Sequence, residues 1–272
     1  MRVELRDVSK GRGQALPPVS LAYDTGAPVL AMAETEQRPA VLGLIASGRM
    51  RPDTGAVTAD GMTDAAGIRR RVALVDAPEV CDPAPNVTVA GIVAEELMFA
   101  GRPSTPRAVR RWLDAHDARS TARTPIADVR PSQRVRLLLE LAALRAGVES
   151  MVLVSPDRHG GDPEHWWDVV EEFGARGYGV LAIAGAAAAS VLADRAPRAE
   201  LPTEPAVPAG PEESTEPEEH ADSTDVPDAA PEESAIEPES TIEPESADDS
   251  PAHTTAPTDP EPEPAPETED ER

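Results

Sequence analysis

Apolar and polar positions alternate over residues 3–8 (VELRDV), the pattern of a strand with one buried face. Residues 19–23 (VSLAY) repeat the pattern, and residues 24–26 (DTG) read as a turn. Residues 28–33 (PVLAMA) are a short apolar run between polar neighbours, which predicts a buried strand, with a helix over 40–47 behind it. Residues 51–55 (RPDTG) predict a turn leading into a strand at 56–59. The runs 71–75 (RVALV), 151–154 (MVLV) and 178–183 (YGVLAI) read as further buried strands. Helices are predicted over 88–99, 105–117, 132–146, 163–174 and 186–195. Pro131 suits the first turn of the third of these, where the missing N–H costs nothing. Strands alternating with helices in the second half predict a parallel α/β sheet. Trp166 and Trp167 are adjacent and cannot share one helix face, so one is expected in the core and the other on a contact surface.

Composition then divides the chain. Residues 200–272 hold 25 of the 50 acids and only one basic residue besides two histidines, a net of −24. The 30 prolines split evenly, 15 of them beyond residue 200, where none of the aromatic residues lies. Such a segment has too little apolar surface to offset the entropy of ordering, so a disordered acidic Pro/Glu-rich tail is expected over 197–272. Its echoes, IEPES at 236–240 and again at 242–246, are low-complexity repeats. Residues 1–196 are expected to form one α/β domain.

The single cysteine, Cys81, excludes a disulfide framework and a cysteine-based metal site. The first residues lack the apolar stretch of a signal peptide. The longest apolar run, 180–193, is too short to span a bilayer. The expected location is cytoplasmic, with peripheral placement at the inner face of the membrane as the variant.

The order of segments over residues 1–193 resembles the ATP-binding cassettes of ABC transporters. Residues 3–10 (VELRDVSK) resemble that family's first strand. Ser47 and Gly48 with residues 51–55 (RPDTG) resemble the turn after its phosphate-loop helix, and Asp60-Gly61 the "DG" after that turn. Residues 87–89 (VTV) resemble the entry to its helical subdomain, and residues 133–136 (QRVR) the stretch after its signature motif. The resemblance implies a P-loop-NTPase-like fold: a mixed sheet flanked by helices, with a small helical subdomain over about 88–130.

The same alignment places the chemical positions. A phosphate loop needs glycines for backbone cradling, a lysine for the β- and γ-phosphates and a hydroxyl for magnesium. The matching nine residues run from Ala33 to Val41. They contain no glycine; Pro39 stands at the lysine position, Ala40 at the hydroxyl, and Arg38 one residue early, with Glu34 and Glu36 repelling phosphate. Lys10 is the only lysine in the chain. The strand that should end in a magnesium-binding Asp and a water-activating Glu is followed instead by Ser155 and Pro156, with Asp157 late. Ala77 stands at the Q-loop position and Gly185 at the switch-histidine position. The signature region reads Arg130, Pro131, Ser132, Gln133. Gly160, Gly161, Asp162 and Pro163 resemble the D-loop, a dimer contact.

His159 and His165 flank Asp157 and Asp162 at a spacing that matches no zinc pattern, so a polar loop and no metal are expected. The clusters Arg69 to Arg71 and Arg107, Arg110, Arg111 are expected to be solvated faces. The expectation is a non-catalytic cassette-like scaffold or regulatory partner of a membrane permease or of an active cassette subunit. It binds no nucleic acid and no cofactor. The alternative is a divergent subunit that binds ATP and magnesium with little or no hydrolysis.

Overall fold

The computed structural model describes residues 1–34 and 38–199. The expected acidic tail, apart from residues 197–199, lies outside the described residues, as does Glu36. Two sheets organise the rest. β1 (Arg2–Lys10), β2 (Leu16–Asp24) and β4 (Thr54–Ala59) form an antiparallel sheet in the order β2-β1-β4. β3 (Val29–Met32), β5 (Val72–Val75), β6 (Ser150–Val154) and β7 (Gly179–Ala184) form a parallel sheet in the order β3-β7-β6-β5.

Every residue of β5, β6 and β7 is buried, which explains their continuous apolar runs: a parallel sheet is covered on both faces. The two-residue period of a strand sorts these side chains. Val152, Val154, Leu181 and Ile183 join a core with Leu5, Tyr23, Leu42 and Ile45. Met151, Leu153, Val180 and Ala182 join the other, built on Trp166, Phe173 and Leu139. Helix α1 (Pro39–Ala46) supplies the first core. A Cβ on its Gly43 would lie 2.7 Å from Val154 Cγ2, so glycine sets how closely α1 approaches the sheet.

Helix α2 (Ala65–Arg71) was not legible as a helix. Only Ile68 is buried, so it carries no apolar stripe, and Asp64 caps it by accepting the Ala66 N–H at 3.0 Å. The helical region holds α3 (Val89–Phe99) and α4 (Pro106–Ala115), followed by 3-10 turns at Arg119–Thr121 and Ile126–Asp128. Thr88 and Thr105 cap α3 and α4 by accepting N–H bonds from Gly91 and Ala108. Helix α5 (Pro131–Ala142) stops four residues before the expected end. Helix α6 (Pro163–Ala175) packs on α5 and β7, and α7 (Ala186–Val191) on α6 and β3.

Both tryptophan rings are fully buried, whereas one was expected on a contact surface. They meet edge to face at 6.1 Å, and Trp167 Nε1 donates to Glu171 Oε1 at 2.8 Å, which gives its polar end a partner. Neighbours on several sides of α6 leave neither tryptophan for a contact surface. The Arg69–Arg71 cluster is likewise more than a solvated face. Arg71 reaches Glu149 at 2.7 Å and Asp60 at 2.9 Å, and Arg69 donates to the Gly48 carbonyl.

Beyond α7 the chain returns to the edge of the parallel sheet. Leu30 donates to the Pro197 carbonyl at 2.8 Å and accepts from the Ala199 N–H at 3.1 Å. Ordered backbone pairing thus runs past residue 196. Among the described residues no helix is long and apolar enough to cross a membrane.

Candidate functional site

A cleft of about 770 Å³ opens at the carboxyl end of the parallel sheet. Ligand sites of open α/β sheets lie at this end of the strands. Ala33, Arg38, Pro39, Ala40 and Val41 line one side, and Ser155, Asp157, Arg158 and Gly185 the other. Residues aligned to three separate motifs therefore share one cleft. Pro78, Glu79 and Val80, just after Ala77, close it. Ala77 itself is fully buried, and so is Pro156.

The local backbone explains the arrangement. Arg38 takes a left-handed conformation (φ 46°) immediately before α1, and Pro39 opens the helix. Proline offers no N–H, and the Val41 N–H is spent on the Arg38 carbonyl at 2.8 Å. The start of α1 therefore turns few free amides toward the cleft. The first amides of α7 are also engaged. Gly185 N–H donates to Asp157 Oδ2 at 3.0 Å, and Ala186 N–H to Glu34 Oε1 at 2.6 Å. A Cβ at residue 185 would lie 3.2 Å from Asp157 Oδ2 and 3.3 Å from Glu34 Oε2, so the glycine lets both carboxylates close over the helix start. Carboxylates at this end of a helix also complement its dipole.

The remaining motif positions fall elsewhere. Arg130, Ser132 and Gln133 line a shallower cleft with His165 and Asp168. Pro131 opens α5, and Gln133 Oε1 accepts from Arg130 Nε at 3.3 Å. Gly160 and Gly161 take positive φ, 73° and 81°, which a residue with a Cβ rarely adopts. Asp162 then caps α6 by accepting the Glu164 N–H at 3.0 Å, and Pro163 opens that helix. Within the chain this segment packs on Pro131, 3.1 Å from a Cβ built on Gly161. The only lysine, Lys10, is bound to Asp53 at 2.5 Å in the antiparallel sheet.

Sequence reasoning missed a buried electrostatic network beside this cleft. Asp76 ends β5 in a left-handed conformation (φ 56°) with its side chain wholly buried. Arg134 of α5 grips both carboxylate oxygens, at 2.6 and 3.1 Å, and is itself only 3% exposed. Arg158 reaches the same carboxylate at 3.1 Å and the Asp76 carbonyl at 2.5 Å, and His159 Nε2 lies 3.0 Å from it. Burial pushes the Asp76 carboxyl up. The hydrogen bonds from His159 and Arg134 and the charges of Arg134 and Arg158 outweigh that and hold it below the usual carboxylate range. The network joins the end of β5, the start of α5 and the turn after β6. Its available signal was an apolar strand ending in Asp, together with an arginine among the leucines of α5. His159 thus belongs to the hydrogen-bonded network around Asp76, and among the described residues no group of three His, Cys, Asp or Glu is placed to hold a metal.

No family model matches the sequence, and neither does any curated protein. Solved structures do match in fold. The chain is similar to a dimeric bacterial ABC transporter cassette at 17% identity, over 70% of this chain and 90% of that one, with a TM-score of 0.54. It is similar to a nucleotide-free ATP-binding cassette from an ABC transporter at 15% identity, over 71% of this chain and 84% of that one, with a TM-score of 0.52. The described residues therefore adopt the mixed α/β fold of ABC transporter ATP-binding cassettes.

Proposed function

We propose that the protein is a non-catalytic cassette-like scaffold or regulatory partner of a membrane transport system. The observation that carries this reading is the pair of carboxylates inside the cleft: Glu34 and Asp157 occupy the first amides of α7. Anionic phosphates entering there would meet three carboxylates, Glu34, Glu79 and Asp157, against Arg38 and an Arg158 already bound to Asp76 and Asp82. Pro39 removes an amide at the head of α1. These residues do not fit a magnesium nucleotide. The partner in this reading is a permease or an active cassette subunit met from the cytoplasmic side, with residues 160–163 as a further candidate contact.

Calorimetric titration of MgATP into the full chain tests the proposal. No heat of binding and no rise in melting temperature are expected up to millimolar nucleotide. Micromolar binding would refute it, because a ligand at a hundred times its Kd stabilises the fold by about 2.7 kcal/mol. Such binding would support the second reading, a divergent nucleotide-binding subunit. That reading is favoured by the cleft itself, which is roomy and lined by the exposed Arg38.

A further inference from the structure

The helical region holds a second cleft, of about 410 Å³, walled by α4, the 3-10 turn after it and α5. Its volume lies within the usual range of small-molecule sites. Val129 and Leu137 supply apolar wall, and His116 and Glu140 face each other within it. Gln133 of the signature region lines this cleft, but none of the residues aligned to the phosphate loop does.

The chemistry is set by one hydrogen bond. His116 Nδ1 lies 2.8 Å from the Trp112 carbonyl oxygen. A carbonyl only accepts, so Nδ1 carries the proton, and in the neutral ring Nε2 presents a lone pair. That lone pair faces Glu140 Oε2, a second acceptor, at 3.8 Å. Neither group is free to turn away. The imidazole is stacked on Trp112 with centroids 4.0 Å apart and planes 20° apart. Arg176 holds Glu140 by both oxygens, at 2.6 and 3.1 Å. Arg136, the cation lining the cleft, is already bound to Glu172 through both of its terminal nitrogens. Asp117 adds an exposed carboxylate beside them.

We propose that this cleft binds a primary ammonium group carried on a short apolar stem. The ammonium donates one N–H to His116 Nε2 and another to Glu140 Oε2. Bonds of about 2.8 Å across this separation bend each N–H by roughly ten degrees from the tetrahedral direction, within the tolerance of a hydrogen bond. The stem lies against Val129 and Leu137, where it is removed from water.

The probe is 2-phenylethylamine, titrated into the full chain at about pH 8. Its neutral control is 2-phenylethanol. Ring nitrogen shifts of His116 and the Trp112 indole N–H report binding by NMR. Saturable shifts at both residues are expected with the amine, and binding of the alcohol about tenfold weaker or worse, the loss of a charge-assisted hydrogen bond. Glu140→Gln keeps an oxygen for Arg176 and should weaken the amine by a similar factor. If that variant misfolds, His116→Phe keeps a stacking ring, removes the acceptor and should show the same loss. Three results overturn the proposal: equal affinity for amine and alcohol, shifts confined to other residues, or an unliganded His116 already protonated on both nitrogens at this pH.

Discussion

Replacing Asp76 by asparagine tests the network beside the cleft. Asparagine tolerates the left-handed backbone at this position and keeps one acceptor oxygen, so the change isolates the charge. Arg158 retains Asp82 at 3.3 Å, whereas Arg134, 3% exposed, has no other carboxylate within reach among the described residues. The orphan is therefore Arg134. Removing one partner of a buried ion pair costs about 3–5 kcal/mol, a large part of the total stability of a domain. The new amide retains a hydrogen bond, which puts the expected loss near the lower end, about 3 kcal/mol. Urea unfolding measures it as a lower midpoint at unchanged slope. Adding Arg134→Met should recover much of the loss, because both buried charges are then gone. The acid limb gives a second readout. The folded carboxyl titrates below its unfolded value, so its contribution is complete above about pH 4 and is lost as pH falls through the folded value. The stability gap between wild type and Asp76→Asn should therefore narrow as pH falls below about 4 and close only below the folded value. A loss under about 1 kcal/mol at neutral pH, or a gap that does not narrow in acid, would refute the network as a buried, charged interlock.

Further consequences can be checked independently. Gly43→Ala drives a Cβ to within 2.7 Å of Val154 Cγ2 and should cost about 1–3 kcal/mol, read as a lower melting temperature by calorimetry. Asp157→Ala strips the cap from Gly185 N–H and should cost about 0.5–2 kcal/mol, with faster hydrogen exchange confined to the start of α7. Ser150→Ala removes a buried hydroxyl that has no partner among the described residues, so chemical denaturation should find it neutral or slightly stabilising. A chain ending at residue 196 loses both backbone bonds to Leu30 and should melt lower than one ending at residue 203, which is expected to match the full chain.

Much of the parallel sheet was legible because burial on both faces writes continuous apolar runs into β5, β6 and β7. The helices with apolar stripes, α3 to α6, were legible for a similar reason, and Pro131 marked the start of α5. Helix α2 was not, since a helix with one buried residue leaves no periodic signal. The burial of both tryptophans was not legible either. Adjacency in sequence gives their directions from the axis of α6, but neighbouring elements decide which directions are covered.

The candidate site divides in the same way. The sequence shows that Lys10 is the one lysine of the chain, and the family resemblance points to Pro39, Ala40, Ser155 and Gly185 as the residues at the chemical positions. The sequence by itself also determined that the acids concentrate beyond residue 199. Only the tertiary structure brought Glu34 and Asp157 onto the same helix start, because they lie on different strand ends separated by more than a hundred residues. Only the tertiary structure showed Asp76, Arg134, Arg158 and His159 as one network. Composition and spacing report which groups a chain owns. Which charges share a buried volume depends on strand order and helix packing, and burial is what turns a nearby pair of charges into a strong interaction.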